Sequence, residues 1–123
     1  MALAKELMGG GLSAGQAAAI GGGYAAITAT GSVIGDAAPL TSSNCVVAGG
    51  DNTKGVALTC MVGDSQQVFN NSGSTLKVWP QSVAGIAVTG TGVGTAAAAF
   101  SVLTYKGALF TRITSTQYLV LVY

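Results

Sequence analysis

Hydrophobic and polar positions divide the chain into two unlike parts. Before Tyr24 half of the apolar residues are alanine, with Leu3, Leu7, Met8, Leu12 and Ile20 set among the glycine runs 9–11 and 21–23. Residues 2–8 favour a helix that stops at the first glycine run. Ser13 with Gln16 three positions on fits a capping box leading into Ala17, Ala18, Ala19 and Ile20. Both helices are too short to persist alone in water, so their apolar residues must dock on something. Those five, Leu3, Leu7, Met8, Leu12 and Ile20, are the candidate anchoring residues.

After Tyr24 the pattern changes. Thr, Val, Ile and aromatic residues concentrate, and Gly, Asn, Asp and Ser recur at short intervals. The alternation predicts strands over residues 27–34, 44–48, 55–62, 66–70, 75–79, 85–89, 97–104, 108–114 and 117–122. Many short strands without βαβ alternation predict an all-β fold. The expectation is an antiparallel β-sandwich or jelly-roll-like domain over residues 25–123, preceded by a short helical, Gly-rich N-terminal arm over residues 1–24.

The final strand is apolar at both parities. Tyr118, Val120 and Val122 point one way and Leu119, Leu121 and Tyr123 the other. A strand of a small antiparallel sandwich usually shows one face to water. Here the second face needs a cover, either a partner subunit or the N-terminal arm. Leu119, Val120, Leu121 and Tyr123 are therefore the candidate subunit-interface residues.

Composition strengthens the case for assembly. One domain of 123 residues is half hydrophobic but only 7% charged, against about 25% in a typical soluble domain. Interspersed charge keeps a monomer apart from its neighbours, so a surface this poor in charge points to one covered by other subunits. The net charge is +1, and Lys5, Lys54, Lys77, Lys106 and Arg112 stand singly. Nucleic acid, which needs clustered basic residues, is not an expected partner. No charge falls between Glu6 and Asp36, yet that stretch is Gly, Ala, Ser and Thr with few large apolar residues. Neither a membrane span nor a secretory signal is expected from it.

Candidate chemistry is sparse. There is no histidine, the commonest general base and metal ligand. Glu6, Asp36, Asp51 and Asp64 are spread along the chain, and Asp51-Asn52 and Gly63-Asp64 read as turns. The glycines of residues 88–95 run G-x-G-x-G and not G-x-G-x-x-G, so they read as a connection between strands. If 44–48 and 57–61 pair as a hairpin around residues 51–54, Cys45 falls opposite Cys60, close to disulfide geometry. Two cysteines alone make a poor zinc site. No catalytic residue, cofactor, metal or small-molecule substrate is expected, and the chain does not read as an enzyme.

The run Val68-Phe69-Asn70-Asn71-Ser72-Gly73-Ser74-Thr75-Leu76-Lys77-Val78-Trp79-Pro80 reads as two strands joined by a tight polar turn. A two-residue loop and a three-residue loop are both compatible with it, so Leu76 faces Phe69 or Val68. The run resembles a β-hairpin of small virion proteins of tailed bacteriophages. There it is followed, as here in 85–94, 106–114 and 117–123, by a Gly/Thr-rich stretch, a basic or polar strand and an aromatic C-terminal strand. Gln81 departs from the pattern, where another turn-forming residue is usual. The resemblance implies a capsid cement or decoration protein on the phage head surface. Its partners would be the major capsid protein and copies of itself in a homotrimer. Assembly in a reducing bacterial cytosol would leave Cys45 and Cys60 as buried thiols. The alternative is a phage tail or fibre module recognising a surface glycan, with Trp79 and Tyr105 as the aromatic platform.

Overall fold

The computed structural model describes residues 24–81, 85–88 and 98–122. Ten strands make two mixed sheets: β1 (Tyr24–Thr28), β2 (Ala38–Pro39), β3 (Asn44–Ala48), β4 (Gly55–Ala57), β5 (Ser65–Asn70), β6 (Leu76–Trp79), β7 (Gly85–Val88), β8 (Phe100–Val102), β9 (Gly107–Thr114) and β10 (Gln117–Val122). The first sheet runs β1-β3-β5-β9-β10-β7 and the second β2-β4-β6-β8. The described residues are thus mostly β with no helix. The expected helical arm and the loop after Val88 lie outside them.

The order of the strands is the central finding. Odd-numbered β1, β3 and β5 lie side by side and parallel in one sheet, and even-numbered β2, β4 and β6 do the same in the other. Over β1–β6 the chain therefore passes from the first sheet to the second three times and returns twice, making three rungs that stack on one another. Among the described strands, antiparallel ladders form only between β9 and β5, β9 and β10, and β8 and β6. This corrects the antiparallel expectation for the first six strands. It also removes two expected hairpins. β3 and β4, which carry the hairpin proposed to bring Cys45 opposite Cys60, belong to different sheets, as do β5 and β6 of the central run. The polar turns of both segments are corners between layers.

One core lies between the sheets. Inward positions alternate along the strands as the pleat requires: Cys45 and Val47 on β3, Val68 on β5, Leu76 and Val78 on β6, Phe110 on β9, Tyr118 and Val120 on β10, all buried. Phe100 of the second sheet meets Phe110 of the first edge to face, with ring centroids 5.7 Å apart. That geometry favours aromatic pairs and ties the two layers together.

Two buried amides close the corners at the ends of β5. Gln66 Oε1 accepts from the Thr59 and Cys60 amides at 2.8 and 3.1 Å. Its Nε2 donates to the Ser42 carbonyl at 3.2 Å and to Thr59 Oγ1 at 2.8 Å. Thr59 Oγ1 in turn donates to the Leu40 carbonyl at 2.8 Å, so one side chain binds two successive returns of the chain. The strand expected over 55–62 ends at Ala57: the Leu58 amide still donates to the Trp79 carbonyl, but those of Thr59 and Cys60 are turned toward Gln66 instead of a ladder. At the other end, Asn70 Nδ2 donates to the Ser74 and Val102 carbonyls at 2.8 and 3.0 Å. Its Oδ1 accepts from the Ser72 amide at 3.2 Å and from the Ser72 hydroxyl.

Close stacking sets two further details. Gly55 lies against the next rung so tightly that a Cβ there would collide with the Lys77 carbonyl. The strand expected over 27–34 is instead β1, since the chain turns at Gly31 with φ at 68°.

Replacing Gln66 or Asn70 by Leu leaves several buried donors and acceptors unpaired, at about 1–3 kcal/mol each. Each variant is expected to lose about 2–4 kcal/mol by urea unfolding. Gln67→Leu on the outward face of β5 should stay within about 0.5 kcal/mol of the parent. Equal midpoints for all three would refute the corner role.

Candidate functional site

The feature with most to offer a partner is the outward face of the six-stranded sheet. Register places its residues in rows across the strands. Ala26, Val46 and Phe69 form one row, and Asn44, Gln67, Leu109 and Leu121 a second. Ser65, Thr111 and Leu119 form a third. Among the described residues these strands turn no Asp, Glu, Lys or Arg side chain outward. Phe69 is 39% exposed, Leu119 38% and Leu121 51%. Asn44, Val46, Gln67 and Phe69 also line a shallow depression on this face.

The structure separates the residues expected at an interface. Val120 points into the core and is 1% exposed, with Tyr118 beside it at 0%. Leu119 and Leu121 point away from the core. Thus β10 is apolar at both parities: Tyr118 and Val120 are taken up by the core, Leu119 and Leu121 are left exposed, and Val122 at the strand's end is exposed as well. Tyr123 and the candidate anchoring residues Leu3, Leu7, Met8, Leu12 and Ile20 lie outside the described residues. Ile113, 40% exposed on β9, extends the apolar face and was not singled out by the sequence pattern. Its parity with Leu109 and Thr111 was the available signal.

Behind this face, Arg112 knits the lower corners together. Its guanidinium donates to the Cys60 carbonyl at 3.3 Å, the Ser115 carbonyl at 2.7 Å and Gln81 Oε1. It also lies over the Tyr118 ring, 5.6 Å from the centroid. Such an arrangement suits the planar fork of arginine and holds three separate segments. Gln81, which departs from the phage-like pattern, is one of its acceptors. Burial pushes the Tyr118 hydroxyl above its ordinary pKa, with the Arg112 charge opposing the rise.

The remaining reactive groups are structural in their surroundings. Cys45 and Cys60 are both free and buried. Burial raises both thiol pKa values, which suppresses the nucleophilic thiolate. Asp36 and Asp64 sit in turns closed by their own amides, onto the Val33 and Met61 carbonyls. Among the described residues no group of His, Cys, Asp and Glu is placed to hold a metal ion. No helix among them is long and apolar enough to cross a membrane.

Asp51 organises the corner between β3 and β4. Its Oδ1 accepts from the Thr53 hydroxyl at 2.7 Å, the Lys54 amide at 2.9 Å and the Thr53 amide at 3.0 Å. The Thr53 hydroxyl, followed by these amides, lowers the Asp51 pKa from 3.8 to about 2. Its 3.9 Å ion pair with Lys54 is exposed and adds little.

No protein-family model, curated protein or solved structure matches the chain.

The depressed pKa of Asp51 has a definite sign. A carboxylate that ionises more easily when folded stabilises the fold above its ordinary pKa of 3.8, and that contribution fades as pH falls through about 2. The Thr53 and Lys54 amide resonances should therefore titrate with a midpoint near 2. Asp51→Asn should abolish the titration, and a midpoint at the ordinary value would contradict the corner geometry.

Proposed function

We propose that the chain is a structural protein of a tailed-bacteriophage virion, a capsid cement or decoration protein on the head surface. It acts as a sandwich-like β unit that buries surface against the major capsid protein and against its own copies in a homotrimer. The observation that supports this most directly is the outward face of the first sheet, which carries no Asp, Glu, Lys or Arg among the described residues and exposes Leu119, Leu121 and Phe69 among neutral polar side chains. Single exposed apolar residues are ordinary, but several on one uncharged, continuous sheet face support an interaction surface.

Dimensions limit what this face does alone. Six strands at about 4.8 Å spacing and about five residues at 3.3 Å each give a footprint of roughly 30 by 16 Å. That is about half of the roughly 800 Å² that each partner contributes to a standard interface. A stable assembly therefore recruits surface beyond the sheet. Repetition over many capsid sites multiplies a modest gain per copy into resistance against the pressure of packaged DNA.

The glycan-binding tail module is the second reading, and one residue favours it. Tyr105 is 60% exposed and holds a left-handed backbone at φ 56°, uncommon for a bulky residue. Its expected partner Trp79 offers less, being half-buried with its indole Nε1 closed off from solvent.

The two parities of β10 supply the test. Leu119→Asp combined with Leu121→Asp should keep the β circular dichroism spectrum while weakening self-association at least about tenfold, or about 1.4 kcal/mol. Occupancy on undecorated heads should fall with it. Val120→Asp should unfold the domain, because it buries a charge in the core. A parent protein that sediments as a monomer at micromolar concentration, with unchanged head occupancy for the double variant, would overturn the reading. Virion stoichiometry separates the alternatives: hundreds of copies for a head protein, few for a tail module.

A further inference from the structure

The corner that leads from Cys60 into β5 holds its backbone firmly and shows apolar side chains to water. Residues 61–64 form a tight turn, the Asp64 amide donating to the Met61 carbonyl at 3.0 Å, with Gly63 in its third position at φ 92°. Two bonds pin the turn to β9. The Gly63 amide donates to the Arg112 carbonyl at 2.7 Å, and the Arg112 amide to the Asp64 carbonyl at 3.0 Å. Backbone fixed in this way presents Met61, 73% exposed, and Val62, 54% exposed. Exposed turns ordinarily carry Asp, Asn, Ser, Pro or Gly. Two apolar side chains on a fixed tip are preorganised for a contact, because little freedom remains to be lost on binding.

The outward face of the first sheet carries a counterpart. The depression over β3 and β5, lined by Asn44, Cys45, Val46, Gln67 and Phe69, has a volume of about 180 Å³. An apolar cavity of about 150 Å³ takes a benzene molecule, so there is room for one large apolar side chain. Val46 and Phe69 are register partners and supply apolar wall, while Asn44 and Gln67, also register partners, supply neutral amides. Methionine suits a shallow, irregular hollow because it is unbranched and flexible, and its sulfur makes favourable contacts with an aromatic ring. Tip and hollow lie at different places on the chain. The tip runs into Ser65 at one end of β5, and Phe69 stands four residues, or about 13 Å, farther along that strand.

We propose that Met61 of one copy seats in this hollow of a second copy, against Val46 and Phe69, with Val62 beside it. The contact rests on the assembly reading above and names the occupant of the outward face as another copy of the chain. Because it joins two different patches it is heterologous, and heterologous contacts repeat from copy to copy until the rotation closes a ring. A homotrimer is such a ring. Each copy then contributes twice, once by its tip and once by its hollow, so the surface buried per copy exceeds the footprint of the sheet. That additional area is what the sheet alone lacks against a standard interface. The groups desolvated in the hollow are neutral, so no unpaired charge is buried there.

Sedimentation equilibrium of the full-length chain tests the contact. Met61→Asp should keep the β circular dichroism spectrum and weaken self-association at least about tenfold, while Met61→Leu should stay within about threefold of the parent. Met61→Ala and Phe69→Ala should each weaken association, and their combination should weaken it by clearly less than the product of the two, the sign of a shared contact. Under mild oxidation, Met61→Cys reassembled with Phe69→Cys should give a cross-linked dimer that neither variant gives alone. A dimer formed by Met61→Cys alone would overturn the head-to-tail arrangement. An assembled parent whose association is unmoved by Met61→Asp would overturn the contact and leave the assembly reading standing. A parent that is monomeric at micromolar concentration would overturn both. Head occupancy lost by Met61→Asp at unchanged self-association would give the tip to the capsid protein and overturn the contact between copies.

Discussion

A chain that shuttles between two sheets must turn a corner at the end of every strand, and each corner exposes backbone groups that no ladder can satisfy. β5 is the strand on which this constraint bears most heavily. It lies between parallel β3 and antiparallel β9, so it joins the stacked rungs to the C-terminal strands. Gln66 and Asn70 sit at its two ends, almost wholly buried, and each uses both its amide oxygen and its amide nitrogen. Side-chain amides suit this position because they carry two donors and an acceptor without the desolvation cost of a charge. A carboxylate would be repelled by the carbonyls of Ser42, Ser74 and Val102. A hydrocarbon would leave them dry and unpaired. Placement of the rungs thus depends on two neutral side chains.

Parallel stacking explains why polar residues inside the domain are confined to corners. Within the ladders each backbone group finds the next rung, and the side chains between sheets only have to fill space. Hence the plain sequence Val47, Val56, Val68, Val78 through the core. Successive corners then lie over one another and bond laterally, as when Asn52 and Thr75 exchange an amide-to-carbonyl and an amide-to-side-chain bond, both at 3.0 Å. The same nearness excludes a side chain at Gly55.

Individual strands were legible in the sequence because alternation is a property of one strand and its own two faces. The spans 44–48 and 117–122 match β3 and β10, and the expected start and end of the others fall within a few residues where the chain has no special turn. Partners were not legible. Asn70-Asn71-Ser72-Gly73 has the local chemistry of a hairpin turn, and nothing in four residues says whether the chain reverses within a sheet or changes layer. Asn70 decides it by turning inward to Val102, a contact made across 32 positions. β2 was missed because two residues, one of them Pro39, carry no period. The faces of β10 were half legible: apolar residues at both parities were visible, but which parity met the core depended on Phe110 and Ala108 across the ladder.

The division of labour along β10 bears on how a protein with so little charge is organised. Tyr118 and Val120 close its own core, while Leu119 and Leu121 are carried outward on the same backbone. Because successive side chains on a strand alternate, a one-residue slip of register would bury the outward pair and expose the inward one. With apolar residues at both parities, hydrophobicity alone would barely resist such a slip. Specific groups on the inward side must resist it instead: the Tyr118 ring under the Arg112 guanidinium, the irregularity between Gln117 and Tyr118, and the Arg112 bonds to Cys60, Gln81 and Ser115. Arg112 therefore secures the outward face without belonging to it. It holds β10 in the one register that leaves Leu119 and Leu121 free to meet a neighbour.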